Sequence, residues 1–372
     1  MIRKIKIENF KSILSAELEC GNLNIYTGLN ASGKSSFLQP LLLLRQSFLF
    51  GSLYKTPANL LLSTLDGLVN LGTFQDVLCQ IAPKENELIS FKLSFDTTSL
   101  SFISKKYSTE NRDLNVLNGN LEALFSEFEN ENLFTNNFQY LSADRIQPAE
   151  DYPRFQSVEL LGKAGEYTAH YIEKHGNEDI QIKELSLKKN PISYSLISQI
   201  NDWMGEISES IEVITKENLS TNRIELSYRY KQMDGTPSAK YKPQNVGFGI
   251  THTLPIIVAI LSANKGDIII IENPETHLHP RGQSRLASLF ALAAENGIQL
   301  FIETHSDHII NGIRVAVKKE RIAKEKVFLN FFAKSPQNIS IIKRIGVQLD
   351  GGLDNWPLGF FDEWDNLLNE LL

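Results

Sequence analysis

The chain of 372 residues carries 37 Lys and Arg against 44 Asp and Glu, a net charge of −7, which argues against a globally basic nucleic-acid binder. Its length accommodates one large domain with insertions, or two domains, and can bury a core without cross-links. Two cysteines, no C-x-x-C, no N-terminal signal pattern and no apolar run of ~18 residues leave a cytoplasmic protein without a membrane segment as the expectation.

In chain order, residues 1 to 27 read as two strands, with Ile2, Ile5 and Ile7 apolar in a charged run and a second stretch ending at Tyr26. The next segment, Gly28-Leu29-Asn30-Ala31-Ser32-Gly33-Lys34-Ser35, leads into Ser36-Phe37-Leu38, a plausible helix start. G-x-x-x-x-G-K-[ST] between a strand and a helix is a P-loop. Glycines permit the unusual backbone and leave room for phosphate oxygens, and successive amides at the helix start cradle the β-phosphate. Lys34 then reaches the β- and γ-phosphates of ATP and the Ser35 hydroxyl ligates Mg²⁺. A chance glycine turn is the bland alternative, and four fixed positions in the right setting disfavour it.

Phe37 to Phe50 is an apolar helix candidate, read as a core helix. Strand candidates at Leu88 to Phe95 and Leu100 to Ile103 suggest a β-rich arm. Between 111 and 137 eight asparagines and little periodicity beyond Leu121-Leu124-Phe125-Phe128 suggest a flexible insertion. A strand at Phe138 to Leu141 feeds a loop with Arg145 and Gln147. Residues 151 to 245 alternate helix and strand signals without a chemical motif.

Asn245-Val246-Gly247-Phe248-Gly249-Ile250-Thr251-His252 precedes the apolar helix-like run from Leu254 to Ser262. Gly247 and Gly249 opening a helix make an anion-receptive N-terminus, with Asn245 or Thr251 as polar donors, or an ordinary turn. Four β-branched residues, Ile268 to Ile271, then run into Glu272-Asn273-Pro274-Glu275, a buried strand with carboxylates at its C-terminal end, where open α/β sheets bind ligands. A second such strand, Ile298 to Ile302, ends in Glu303-Thr304-His305-Ser306. Five of the seven histidines lie between 252 and 308, so a zinc or dinuclear site is a minor alternative, one that leaves the P-loop unexplained. The run 311 to 326 holds six cations, read as a solvated helix face or a local nucleic-acid contact. From Trp356 to Leu371, Phe360, Phe361, Trp364, Leu367, Leu368 and Leu371 are expected on one helical face docked on the core or on a second subunit.

The opening "IENFKSI" with "GLNASGKSS" resembles the ABC-type ATPases of the RecF, SMC and OLD group, and "ENPETHLHP" resembles the Walker B segment of OLD-like members. "WPLGFFDEW" resembles the tail of a subset found beside bacterial anti-phage defence genes. The resemblance implies an α/β P-loop NTPase fold of ABC type, a mixed β-sheet with flanking helices, a β-rich arm and an inserted α+β subdomain. The expected division is 1–110 and 241–372 for the ATPase head, 111–137 for the flexible insertion and 138–240 for the inserted subdomain.

By the same resemblance, Gly28, Asn30, Ala31, Ser32, Gly33, Lys34, Ser35 and Ser36 bind nucleotide. Gly247 and Gly249 stand at the ABC signature position, although its usual LSGGQ letters are absent. Gln147 or Arg145 senses nucleotide, Glu272 joins Ser35 at Mg²⁺, and His305 is the switch histidine at the γ-phosphate. Asn273 stands where such ATPases carry the glutamate that polarises water, and an amide accepts a proton poorly. Glu275 is the preferred substitute base; His305 or slow turnover are the other options. The implied function is an ATPase that dimerises on ATP and switches a separately encoded effector, a nuclease or toxin, in defence or DNA maintenance. The alternative is a non-hydrolysing, ATP-bound scaffold; a sequence-specific DNA-binding protein is disfavoured by charge.

Overall fold

The computed structural model describes every residue except 56, 84–86, 107–112, 118–128, 155–159, 233, 235 and 372. The strands in chain order are β1 (Ile2–Phe10), β2 (Ile13–Glu19), β3 (Leu23–Gly28), β4 (Asn59–Leu61), β5 (Leu88–Phe95), β6 (Ser99–Lys106), β7 (Asp113–Val116), β8 (Phe138–Leu141), β9 (Asp151–Pro153), β10 (Ile211–Asn218), β11 (Arg223–Tyr230), β12 (Ile268–Glu272), β13 (Gln299–Glu303), β14 (Val327–Lys334) and β15 (Ser340–Ile345). The helices are α1 (Lys34–Leu49), α2 (Phe74–Val77), α3 (Thr168–His175), α4 (Leu196–Ile207), α5 (Phe248–Leu261), α6 (Pro280–Glu295), α7 (Asp307–Lys318) and α8 (Glu363–Leu371). The described residues form two compact units. The first comprises Met1–Phe138, Val327–Val347 and Leu353–Leu372; the second comprises Gln139–Lys326 and Gln348–Gly352. The stretch 241–326 lies in the second unit.

In the first unit an antiparallel sheet runs β2-β1-β5-β6-β7-β4. Alternation makes one face of it apolar: Ile5 and Ile7 of β1 stand opposite Leu93 and Phe91 of β5, all fully buried. The opening 27 residues hold three strands rather than two, because Ile13 to Glu19 pairs back on β1 through a short turn. Part of the expected insertion also belongs here: Asp113–Val116 hydrogen-bonds between β4 and β6. The helix expected from Leu121 to Phe128 lies outside the described residues.

β3 pairs in parallel with β14, which pairs antiparallel with β15. α1 follows β3, and burial of Phe37, Leu38 and Leu41 to Leu44 fixes it as the core helix read from the sequence. Its buried Arg45 donates to the Leu133 carbonyl at 3.2 Å and lies 5.4 Å from the Phe138 ring centre, so the charge is both hydrogen-bonded and faced by a π-system. Phe360 and Phe361, expected on the C-terminal helical face, precede the helix. α8 starts only at Glu363, Phe360 is buried against Phe331 and Trp356, and Leu367, Leu368 and Leu371 are exposed.

In the second unit β8-β12-β13 lie side by side, with Ile268 to Glu272 in parallel register with Gln299 to Glu303. Four isoleucines at 0 or 1 % exposure explain why this run is a central strand. A separate antiparallel sheet runs β10-β11-β9. α5 begins at Phe248 with Gly247 as its cap residue, where the sequence places glycines opening a helix, and is buried from Gly249 to Leu261. The basic stretch from 311 is helical only to Lys318, and two of its cations are committed within the unit: Arg314 donates to the Gly351 carbonyl and Lys326 pairs with Glu295.

The close approach of β14 to β3 makes Gly28 irreplaceable. Its φ is +141°, and a Cβ there would stand 2.1 Å from the Phe332 carbonyl oxygen. Gly28→Ala is expected to destabilise the protein by about 3 kcal/mol or more in denaturant unfolding, whereas a change within ~0.5 kcal/mol would mean that this approach is not what fixes the strand end.

Candidate functional site

In the first unit the chain leaves β3 through Gly28, turns through Ala31 at φ 59° and Gly33 at φ 104°, and enters α1 at Lys34. Gly33 provides no side-chain cap, so the helix start presents its amides without a competing carboxylate or hydroxyl from the cap residue. Lys34 is 3 % exposed and folds its ammonium onto its own loop, donating to the carbonyls of Gly28 at 3.1 Å and Leu29 at 2.9 Å. The Ser32 hydroxyl is buried with no hydrogen-bond partner. Leu29, Asn30 and Ala31 are exposed, and Ser35 and Ser36 are half-buried at the first turn. Left-handed glycines, an uncapped helix start, a folded-back lysine and an orphaned hydroxyl fit a triphosphate chain.

A cavity of about 680 Å³ opens in the same unit, walled by Lys11, Ser12, Asp76, Cys79, Lys334 and Asn338 among others. Lys11 has φ 52° and donates to Gln39 of α1 at 2.7 Å; burial lowers its ammonium pKa, opposed by Asp76. The motif "NFKS" carries this pair in the sequence, but nothing in residue spacing alone showed that Lys11 and Ser12 line a cavity.

In the second unit the carboxylates gather where β12 and β13 end. Glu272 is half-buried at the end of β12 with Glu303, 6 % exposed, directly across the register. Burial raises the Glu272 pKa, while the Ala143 amide at 3.2 Å, the Tyr140 hydroxyl and Arg145 stabilise its charge. Tyr140 of β8 is itself held protonated far above its ordinary range by burial and by those two carboxylates. Glu303 was not singled out from the sequence; the signal was its place at the strand end, one residue before Thr304.

Arg145 is held at the end of β12. It is 2 % exposed and donates to the carbonyls of Ser142 at 3.0 Å, Glu272 at 2.7 Å and Asn273 at 2.6 Å. Burial brings its pKa to about 10, so the guanidinium stays charged and clamps the backbone at the end of β12. Gln147 is exposed on the same loop.

Asn273 sits at φ 43°, a left-handed conformation that Asn tolerates better than Glu, which gives a backbone reason for the amide at this position. Its amide N–H donates to the Glu303 carbonyl at 2.8 Å, and its side-chain oxygen is buried without a partner. Glu275 accepts from the Thr304 hydroxyl at 2.8 Å with one carboxylate oxygen and from the His305 amide at 2.7 Å with the other. A lone pair remains on each oxygen. The same contacts fix the backbone at His305, whose side chain is exposed. Ser306 caps α7 by accepting from the Ile309 amide at 3.0 Å.

At the start of α5, Gly247 is exposed with open space around it, while Gly249 is buried and a Cβ there would lie 2.4 Å from the His277 carbonyl. Gly249 therefore serves close packing in this unit. Asn245 is exposed, but Thr251 is fully buried beside Tyr228 and does not present itself at the helix start. His252 is 5 % exposed with neither ring nitrogen hydrogen-bonded, and packs edge-on to His277 at 5.2 Å. His279 caps α6, accepting from the Arg281 amide. Among the described residues no three His, Cys, Asp or Glu side chains converge as a metal site, so the clustered histidines of the sequence do not assemble a zinc centre there.

With this geometry in view, a family model described as "AAA domain, putative AbiEii toxin, Type IV TA system" matches residues 23–311, more than half of the chain. The chain belongs to this AAA-domain family. A second model, of a protein family of unknown function, matches residues 322–371 of this AAA protein. An SMC head bound to the C-winged helix domain of ScpA superposes with TM-score 0.52 at 12 % identity, covering 93 % of this chain and 98 % of that one. An SMC head with an extended coiled coil, bound to the C-terminal domain of ScpA and derived from Pyrococcus furiosus, gives TM-score 0.49 at 13 % identity over 100 % and 99 % of the two chains. No curated protein sequence matches. The fold is that of an SMC-head P-loop ATPase, as the ABC-type resemblance implied. No helix among the described residues is long and apolar enough to cross a membrane.

Burial, with Arg145 and His277, lowers the His252 pKa from 6.5 to about 4, while Asp144 opposes the shift. The unfolded chain therefore takes up the proton first, and this share of stability is complete above about pH 6.5 and lost as pH falls toward 4. His252→Leu is expected to flatten the pH dependence of unfolding across that window by up to about 1.4 kcal/mol per pH unit. An unchanged slope would show that the ring titrates freely.

Proposed function

We propose that this AAA-family chain binds and hydrolyses ATP as an ABC-type head and uses the nucleotide state to switch a partner. The observation that supports it most directly is the loop from Gly28 to Ser35, whose left-handed turns and buried Lys34 suit a phosphate chain at the start of α1. On binding, Lys34 exchanges its own loop carbonyls for β- and γ-phosphate oxygens. The buried Ser32 hydroxyl gains an acceptor, and the cavity beside Lys11 and Ser12 takes the ribose and base.

Serine hydroxyl and glutamate carboxylate are hard oxygen ligands, so Ser35 and Glu272 are the residues that would hold Mg²⁺. A bound ion would supply positive charge against the phosphates. Glu275 orders Thr304 and His305, and its remaining lone pairs leave it the candidate base in place of Asn273. His305, exposed at its loop, is the candidate γ-phosphate contact. Gly247, with open space around it, is the position suited to capping the nucleotide of a second copy. A homodimer that loosens on hydrolysis would then gate a separately encoded effector, a nuclease or toxin, in anti-phage defence or DNA maintenance.

A scaffold that holds ATP without breaking it is the second reading, favoured by Asn273 at the usual base position. Lys34→Ala is expected to weaken ATP binding by at least about 100-fold, and Glu275→Gln to slow phosphate release more than Asn273→Ala does. Wild-type turnover at background with tight ATP binding would select the scaffold; a larger loss from Asn273→Ala would overturn the base assignment.

A further inference from the structure

Three serines from distant parts of the first unit meet at the nucleotide loop. Ser340, the first residue of β15, donates its hydroxyl to the Ser32 carbonyl at 2.7 Å. Its proton being spent there, the 2.7 Å contact with the Ser12 hydroxyl must have Ser12 as donor. The Ser340 amide in turn donates to the Ser12 carbonyl at 2.8 Å. Ser340 is thus tied twice to the β1–β2 turn and once to the loop, across 308 residues of sequence. Contact is close enough to dictate the loop's composition: a Cβ on Gly33 would lie 2.0 Å from Ser340 Oγ and 2.8 Å from Ser12 Oγ.

The turn that delivers Ser340 is itself rigid. The Ser335 hydroxyl accepts from the amides of Gln337 at 3.2 Å and Ile339 at 3.1 Å, and the Ser335 amide donates to the Ile339 carbonyl at 2.8 Å. Gln337, Asn338 and Ile339 wall the cavity that Lys11 and Ser12 also line. One short segment therefore touches the cavity with its turn and the phosphate loop with its terminal serine. That segment lies within residues 322–371, the part matched by the family of unknown function.

We infer that Ser340 is a positioning residue for the phosphate-binding loop, and that the 335–340 segment belongs to the nucleotide site as the element coupling cavity occupancy to loop geometry. The inference rests on the nucleotide-binding reading above. Removing the hydroxyl frees the Ser32 carbonyl, so the loop samples conformations in which its amides no longer converge on one phosphate. A net intramolecular hydrogen bond of about 0.5–1.5 kcal/mol corresponds to roughly a 2- to 13-fold change in an equilibrium.

The test uses the full chain, a fluorescent ATP analogue and amide hydrogen exchange. Ser340→Ala is expected to weaken analogue binding about 3- to 10-fold and to speed exchange of amides 28–36 in nucleotide-free protein, at a temperature far below unfolding. Ser12→Ala, which leaves the Ser340 to Ser32 bond in place, is expected to lose less, and the double variant to lose less than the product of the two single losses. Wild-type affinity and wild-type exchange in Ser340→Ala overturn the inference, as does a lowered melting temperature with both unchanged. If the wild-type chain binds no ATP analogue, the nucleotide reading falls, while the exchange result still reports whether Ser340 holds the loop.

Discussion

The carbonyl of Phe332 occupies the place where any side chain at position 28 would begin, and this close approach of β14 to β3 determines where the phosphate loop starts. A bare Gly28 lets the strand run up to that carbonyl and then turn sharply. Gly33 meets a second constraint at the other end of the loop, where the Ser12 and Ser340 hydroxyls exclude a Cβ. Between these two fixed points the chain has few conformations left, and the amides at the start of α1 are preorganised rather than collected on binding. Their direction is a property of neighbouring strands as much as of the loop's own sequence.

The second unit solves a different problem, which is to keep carboxylates at the end of buried strands. Glu272 and Glu303 stand in register on adjacent strands, an arrangement that repels when both are ionised. Arg145 relieves it through the backbone, gripping the carbonyls of residues 272 and 273, while the Ala143 amide meets the Glu272 carboxylate directly. Glu275 carries a further share by fixing the turn into α7 through Thr304 and the His305 amide. The polar residues here hold one another in place, so the cost of burying charge is met by geometry that also fixes the backbone at the exposed His305.

Much of the fold was legible because strong local patterns carried it. Ile268 to Ile271 announced a central strand, the glycine spacing from 28 to 33 announced the loop, and Leu41 to Leu44 announced a core helix. What was not legible depends on partners far away in the chain. Nothing near Ser340 hints at Ser32, and the sequence offers Arg145 as a sensor candidate without showing that its guanidinium grips the end of β12. Gly249 looked like part of an anion site, yet its proximity to the His277 carbonyl gives it a packing reason that no local pattern contains. At the C-terminus amphipathic spacing suggested Phe360 and Phe361 on the face of a helix docked on the core or on a second subunit; both precede α8, with Phe360 buried and Leu367, Leu368 and Leu371 exposed on this chain.

Asn273 concentrates the mechanistic question in one residue. Its left-handed backbone explains why an amide is accommodated, and its side-chain oxygen is buried without a hydrogen-bond partner. Whether that amide bears on turnover presupposes that a nucleotide reaches this chain at all. Calorimetric titration of the wild-type protein with ATP, with and without Mg²⁺, tests that most directly. The account predicts saturable binding of one nucleotide per chain that tightens when Mg²⁺ is present; the absence of saturable binding at millimolar ATP would contradict it.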